Sequence, residues 1–142
     1  NVVDSRFITA IIGLLDPGTR TFTAVGAGHP WPLLLRSDGR VDKPPMETGL
    51  PLGIDADFPY QASVVRMEPS PTTLFMYTDG IPEAENDQRE MFGEARLLEA
   101  LAAGAAAPPD ELSARVRRSI KQFARNYPQT DDITMVAARL GE

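Results

Sequence analysis

Three aspartates stand beside apolar, strand-like segments, and this placement is the first sign of chemistry in the sequence. Asp79 ends one apolar run and precedes Gly80, while Asp131 and Asp132 stand at the start of another apolar run, residues 132–140. The end of a strand fixes where a side chain lies, and glycine lets the backbone turn away sharply. If the two strands are antiparallel neighbours, the carboxylates meet at one edge of the sheet. Converging carboxylates repel each other, and Mg²⁺ or Mn²⁺ with oxygen ligands relieves that repulsion.

Each of these motifs also has a simpler explanation when it is taken alone. Asp-Gly is a common turn, and an aspartate before a strand is a common cap. The segment from Asp79 to Glu90 has the length of an EF-hand loop, but Ala84 stands where that loop requires glycine, which excludes it. Glu83 and Glu85 are expected to lie in a solvated loop.

Composition excludes several classes of protein and of metal site. The chain has 142 residues and a formal net charge of -6, which argues against a basic nucleic-acid-binding face and against adsorption to an anionic membrane. It contains no cysteine and one histidine, so disulfides, thiolate metal sites and multi-histidine sites are excluded. Since the first residue is Asn1 and a strand-like run follows within a few residues, we expect the chain to be part of a longer protein.

The pattern of elements predicts an α+β fold with mostly antiparallel strands. Strands are predicted at residues 6–15, 20–28, 31–36, 60–68, 72–78 and 132–140. The first two are predicted to form a hairpin, and the strands at 60–68 and 72–78 are predicted to form another. Residues 44–57 are predicted to be an ordered loop. The last strand is expected to return to a sheet begun earlier.

Two consecutive helices are predicted before the last strand. Apolar residues recur at helical spacing in both of them: Leu97, Leu98 and Leu101 in the first, and Leu112, Val116, Ile120 and Phe123 in the second. The opposite face of the second helix is basic and is expected to be solvated; it carries Arg117, Arg118, Lys121 and Arg125. No internal repeat or linker divides the chain, so residues 1–142 are predicted to form a single domain.

An ordered set of motifs resembles a known family. The segments "FITAIIGLLDPGTRTFTAVGAGHPWPLLLR", "TGLPLGI", "LFMYTDGIPEAEN", "MFG" and "TDDITMV" occur in this order and cover nearly the whole chain. Each is weak alone, but together they resemble the C-terminal part of the stage II sporulation protein E phosphatases, within the PPM, or type 2C, protein serine/threonine phosphatases. The resemblance implies an α-β-β-α sandwich of which residues 1–142 are the C-terminal portion.

The resemblance also implies a site and an activity. It implies two Mn²⁺ or Mg²⁺ ions, with Asp79 and Asp131 as catalytic metal ligands and Asp132 as a further, neighbouring ligand. The ions would activate a water that hydrolyses phosphoserine or phosphothreonine on a signalling protein, often a small anti-sigma-factor antagonist. Such phosphatases act in bacterial stress or developmental signalling, so a cytoplasmic location is expected.

The chain departs from the family pattern in one respect. The Gly-Asp and "DxSGHG"-like segments that supply the family's first aspartates do not occur in it. We therefore expect about half of the ligand set that hard cations need, and little or no activity from the chain by itself. Missing strands would leave apolar edges exposed, which favours pairing with a second copy as a homodimer. The alternative is a pseudo-phosphatase that keeps the fold as a binding or regulatory module.

Overall fold

A computed structural model describes residues 6–68, 71–129 and 131–141. In chain order its elements are β1 (Ala10–Asp16), β2 (Thr21–Ala27), β3 (Leu33–Arg36), β4 (Val41–Asp42), β5 (Thr48–Gly49), β6 (Ser63–Arg66), β7 (Thr72–Tyr77), α1 (Gly93–Ala103), α2 (Pro109–Ala124) and β8 (Met135–Leu140). They form two compact units, one from Asn1–Trp31 with Pro44–Arg66 and one from Pro32–Lys43 with Met67–Glu142. The predicted α+β class, with mainly antiparallel sheets, is confirmed.

The first unit is built around a hairpin. Strands β1 and β2 pair antiparallel from Ala10 opposite Ala27 to Asp16 opposite Thr21, which confirms the first predicted hairpin. The Asp16 carboxylate closes the turn by accepting the backbone N–H of Gly18 at 2.9 Å. On its other side β2 pairs with β6 antiparallel and with the short strand β5 in parallel. The predicted loop at 44–57 therefore contains a strand of two residues.

The two faces of this first sheet differ in exposure. On one face Phe22 is 3% exposed, and its ring lies across Gly13, where an added Cβ would stand 2.2 Å from the ring. The register of β1, β2 and β6 places Ile12, Leu14 and Val64 together on the opposite face. These three side chains are 74%, 72% and 63% exposed. This unit thus has an apolar face that its own described residues leave exposed.

The second predicted hairpin is wrong. Strand β6 pairs with β2 in the first unit, whereas β7 pairs with β3 and β8 in the second. The prediction used the turn-forming residues Pro69-Ser70-Pro71, of which Pro69 and Ser70 lie outside the described residues. Turn chemistry is local and does not determine which strand becomes the neighbour. Here the boundary between the two units falls at the end of β6, so the chain changes sheets instead of folding back.

The second unit joins a sheet to two helices. Its strands follow the order β4-β3-β7-β8 and pair antiparallel, so the last strand returns to an earlier sheet as predicted. The core combines strand residues with the apolar stripes of both helices: Leu33, Leu35, Phe75, Tyr77, Leu97, Leu101, Leu112, Val116 and Ile120. The basic residues predicted to be solvated are exposed: Arg117, Arg118, Lys121 and Arg125. Within the described residues, no helix has both the length and the apolar character needed to cross a membrane.

Truncating Leu101 is expected to destabilise this unit strongly. The side chain is fully buried in the core beneath α1 and α2, so Leu101→Ala removes apolar contacts and leaves a cavity. We expect a loss of about 2–5 kcal/mol in the free energy of unfolding, measured by urea denaturation. Glu99→Ala on the exposed side of α1 is the control and should change stability by less than about 0.5 kcal/mol. Equal effects of the two substitutions would contradict the assigned core.

Candidate active site

Strands β7 and β8 bring the two aspartate motifs to the same end of one sheet. Their pairing runs from Thr72 opposite Leu140 to Tyr77 opposite Met135. Beyond the last pair, the Thr78 backbone N–H donates to the Thr134 carbonyl at 3.0 Å, and the Thr134 N–H donates to the Thr78 hydroxyl at 3.2 Å. Strands β7 and β8 are therefore antiparallel neighbours, which is the arrangement that the sequence analysis assumed.

Gly80 allows the two aspartate segments to touch. A Cβ added to Gly80 would lie 2.0 Å from the carbonyl oxygen of Asp132, well inside any allowed contact. The φ angle of Gly80 is not in the left-handed region, so the need for glycine here is one of space. The residue after Asp79 is thus in direct backbone contact with Asp132.

A tight turn fixes the backbone around Asp79. The Thr78 carbonyl accepts the Ile81 N–H at 3.1 Å, and the Asp79 carbonyl accepts the Glu83 N–H at 3.0 Å. Ile81 is fully buried and anchors the turn to the core, while the Asp79 residue itself is exposed. The arrangement gives a carboxylate on a fixed backbone with its side chain open to solvent.

Asp131 is held by its neighbours in sequence. Its Oδ1 accepts the backbone N–H of Asp132 at 2.8 Å, and its carbonyl accepts a hydrogen bond from the Gln129 amide at 2.6 Å. Asp131 and Asp132 are both exposed. The Gln129 contact was not predicted from the sequence, because the partner of a surface amide depends on how the chain enters β8.

The acidic residues that follow Asp79 form a separate loop. The Phe92 N–H donates to the Ala84 carbonyl and closes the segment between them. Inside it, Glu85 pairs with Arg89 at 2.8 Å, and Glu90 accepts a hydrogen bond from Asn86 at 3.2 Å. These carboxylates are engaged locally. Glu83 is exposed as predicted, whereas the Glu85 side chain is only 19% exposed because it is paired with Arg89. Across the described parts of the chain, no group of three or more acidic or histidine side chains is placed to hold a metal ion.

Tyr77 is buried and lies near negatively charged residues at this end of the sheet. Burial raises the pKa of Tyr77 to about 12, and the charges of Glu94 and Asp79 add to the increase. An unfolded chain releases the tyrosine proton near pH 10 while the folded protein retains it. The contribution of Tyr77 to the free energy of unfolding is therefore constant below pH 10 and falls as the pH rises toward 12.

This alkaline loss of stability is expected to depend on Tyr77. In metal-free buffer, the free energy of unfolding should fall by about 1–2 kcal/mol more in the wild type than in Tyr77→Phe between pH 10 and pH 12. Urea denaturation at the two pH values measures it, with Tyr60→Phe as the control for loss of another phenol. If Tyr77→Phe and the wild type lose stability in parallel, the pKa of Tyr77 is not raised.

Comparison with known proteins identifies the family. Residues 1–141 match the stage II sporulation protein E (SpoIIE) family. The chain belongs to this family. Protein IcfG of Synechocystis sp. is 28% identical over 133 residues, which are 94% of this SpoIIE-family chain and 20% of IcfG. The resemblance seen in the sequence motifs is thereby confirmed.

Solved structures show the same fold. The PP2C domain of SiaA from Pseudomonas aeruginosa is 25% identical with a TM-score of 0.75, and the alignment covers 92% of this chain and 51% of that one. The phosphatase domain of SpoIIE from Bacillus subtilis is 16% identical with a TM-score of 0.71, over 94% of this chain and 57% of that one. The SpoIIE-family chain thus has the fold of PP2C phosphatase domains and spans little more than half the length of these two, and a fifth of IcfG.

Proposed function

We propose that this chain is the C-terminal part of a metal-dependent protein serine/threonine phosphatase domain. The observation that carries the proposal is that the backbone segments of Asp79 and of Asp131 and Asp132 lie at the same end of the β7–β8 pair, in a family of PP2C-type phosphatase domains. The activity proposed for the whole protein is hydrolysis of phosphoserine or phosphothreonine in a signalling protein.

Asp79 and Asp131 would serve as metal ligands, with Asp132 beside them. Their carboxylates suit Mn²⁺ or Mg²⁺, which prefer oxygen donors. The structure of the SpoIIE phosphatase domain from Bacillus subtilis comes from a manganese-soaked crystal, and RsbX, whose fold is similar, was solved in complex with magnesium. When bound, two such ions would supply an activated water and neutralise the phosphoryl oxygens. We propose that the remaining ligands come from residues of the parent domain outside 1–142.

The chain's own residues position these ligands. The hydrogen bonds between Thr78 and Thr134 hold the two strand ends together, and Gly80 sets the spacing between the two aspartate segments. The aspartate residues stay exposed, so they can bind a cation without first breaking a buried ion pair. We therefore propose that this chain contributes one wall of the metal site.

The substrate and setting are proposed from the family resemblance. A small phosphorylated anti-sigma-factor antagonist is the proposed substrate, in bacterial stress or developmental signalling and in the cytoplasm. A net charge of -6 supports a protein substrate over a nucleic acid.

Chelation of the parent protein tests the proposal. The full-length protein should hydrolyse a phosphothreonine peptide with Mn²⁺ present, lose that activity in EDTA, and regain it when excess Mn²⁺ is added. A folded parent protein that binds its partner but shows no metal-dependent hydrolysis would instead establish the pseudo-phosphatase. Chain 1–142 alone serves as the control that is expected to be nearly inactive.

The apolar face of the first unit is proposed to be covered in the parent protein. Ile12, Leu14 and Val64 form an exposed apolar group, and the chain spans 51% and 57% of the two PP2C chains compared above. We expect further residues of the same domain to cover this face, and an isolated 1–142 chain to pair as a homodimer instead. Sedimentation should then show a dimer for chain 1–142 that Ile12→Asn with Leu14→Asn converts to a monomer.

A further inference from the structure

A small cavity in the second unit opens beside the aspartate motifs. Its volume is about 110 Å³, and it lies where the end of α2 meets the two segments that carry the aspartates. One wall is Ala84 and Glu85, in the loop after Asp79, and the other includes Gln129 and Ile133, on either side of Asp131 and Asp132. Because the Gln129 amide also donates to the Asp131 carbonyl, an occupant of the cavity would lie next to the residues proposed to bind metal.

Apolar side chains form part of the cavity lining. They are Ala84, Ile120, Ala124 and Ile133, with Tyr127 beside them in the lining, and Ile120 is only 5% exposed. A dry apolar cavity of about 150 Å³ is large enough to hold benzene. The smaller volume here therefore suits one aliphatic side chain of moderate size.

The rim of the cavity is basic. Lys121 and Arg125 both line it and are exposed, and neither forms an ion pair with any residue that the structure describes. The one acidic residue of the lining, Glu85, is paired with Arg89 at 2.8 Å. In a chain with a net charge of -6, this rim is a local positive patch that complements acidic residues.

The backbone holds Arg125 in an unusual conformation. Arg125 follows the last residue of α2 with φ 56° and ψ -115°, a region that residues other than glycine rarely occupy. Its N–H donates to the Lys121 carbonyl at 2.9 Å, which ties the two rim residues together. Strained residues of this kind persist where the surrounding structure fixes them and are concentrated at functional sites.

We propose that this cavity binds an aliphatic side chain of the protein substrate that is flanked by acidic residues and lies close in sequence to the phosphorylated residue. The proposal rests on the proposed phosphatase function for the identity of the partner. The apolar part of the lining receives the aliphatic side chain, and Lys121 and Arg125 pair with the neighbouring carboxylates. The phosphorylated residue is then directed toward Asp79 and Asp131.

Peptide binding tests the cavity without any need for metal or hydrolysis. A fluorescein-labelled peptide with leucine between glutamates, and the same peptide with serine in place of leucine, are titrated with chain 1–142 in EDTA by fluorescence anisotropy. We expect the leucine peptide to bind about tenfold more tightly, as burial of one aliphatic side chain predicts. Equal affinity for the two peptides, or binding of neither, would overturn the proposal.

Three variants locate the binding site. Ala124→Leu fills the cavity while keeping a helix-forming residue, and should abolish the preference for leucine. Lys121→Glu with Arg125→Glu should weaken binding of the leucine peptide by about tenfold. Arg117→Glu with Arg118→Glu makes the same change of charge on α2 outside the cavity and should leave binding unchanged. If this control weakens binding as much as the cavity double variant, the attraction is a general property of the helix and the proposal fails. Circular dichroism verifies that each variant is folded.

The peptide-binding experiment can succeed or fail independently of the test for phosphatase activity. Asp79→Asn should retain the preference for the leucine peptide, because Asp79 does not line the cavity. In an active parent protein, the cavity double variant should raise KM for an acidic phosphoprotein while kcat stays unchanged. If the peptide preference is found but the parent protein has no metal-dependent activity, the cavity is a docking site and the phosphatase proposal alone fails.

Discussion

Asp79→Asn is expected to abolish the metal-dependent phosphatase activity that we propose for the parent protein. Asparagine keeps the size of the side chain but removes the negative charge and replaces one of the two carboxylate oxygens with an amide nitrogen. Hard cations prefer charged oxygen donors. We expect the rate of phosphothreonine hydrolysis at saturating Mn²⁺ to fall by at least about 100-fold. Asp131→Asn should have a comparable effect, since it removes the second proposed ligand.

The matched control for this substitution lies in the same loop. Glu83 is exposed and follows the Asp79 turn, so Glu83→Gln removes one carboxylate charge close to the site without removing a proposed ligand. Its activity should stay close to that of the wild type. Wild-type activity in Asp79→Asn, or an equal loss in Glu83→Gln, would contradict the assignment of Asp79 as a ligand.

Gly80→Ala is expected to disturb both the stability of the chain and the proposed metal site, although alanine adds only one methyl group. The new Cβ would stand 2.0 Å from the Asp132 carbonyl oxygen, and a backbone atom cannot rotate away as a side chain can. The end of β7 and the segment before β8 must therefore separate. We expect the free energy of unfolding to fall by about 1–3 kcal/mol, and Mn²⁺-dependent activity of the parent protein to fall with it.

Gly141→Ala provides the control for this substitution. A Cβ at Gly141 meets no atom within 4 Å, so the same chemical change should leave stability and activity unchanged. Urea denaturation of chain 1–142 and hydrolysis assays on the parent protein measure the two effects. A Gly80→Ala protein with wild-type stability and activity would show that the two aspartate segments are not held in backbone contact.

The candidate site was largely predictable because its signals are local. An apolar run that ends on Asp79 and another that begins after Asp131 can be identified in the sequence, and only the pairing of β7 with β8 had to be assumed. The contact of Gly80 with Asp132 could not be predicted, because it depends on two segments distant in sequence. Two threonines close to the aspartates were a signal that went unused: Thr78, which precedes Asp79, and Thr134, two residues after Asp132.

The fold was less predictable where it depends on the choice of partner strand. The hairpin predicted between residues 60–68 and 72–78 failed because proline and serine favour a turn without selecting the sheet that each strand joins. Strands β4 and β5 were missed because two residues show no alternation of apolar and polar side chains. The helices were predicted correctly since their apolar spacing is itself the cause of their packing: Leu112, Val116 and Ile120 are all buried.

Paramagnetic broadening by Mn²⁺ tests most directly whether the ends of β7 and β8 form part of a metal site. Assigned ¹H–¹⁵N spectra of chain 1–142 are recorded during a Mn²⁺ titration, which detects even weak binding because the broadening falls steeply with distance from the ion. If this metal site exists, the amide signals of residues 78–80 and 131–134 are lost early in the titration, and Asp79→Asn shows no such selective loss. Broadening centred on the acidic loop at residues 83–90, or a pattern unchanged in Asp79→Asn, would contradict it.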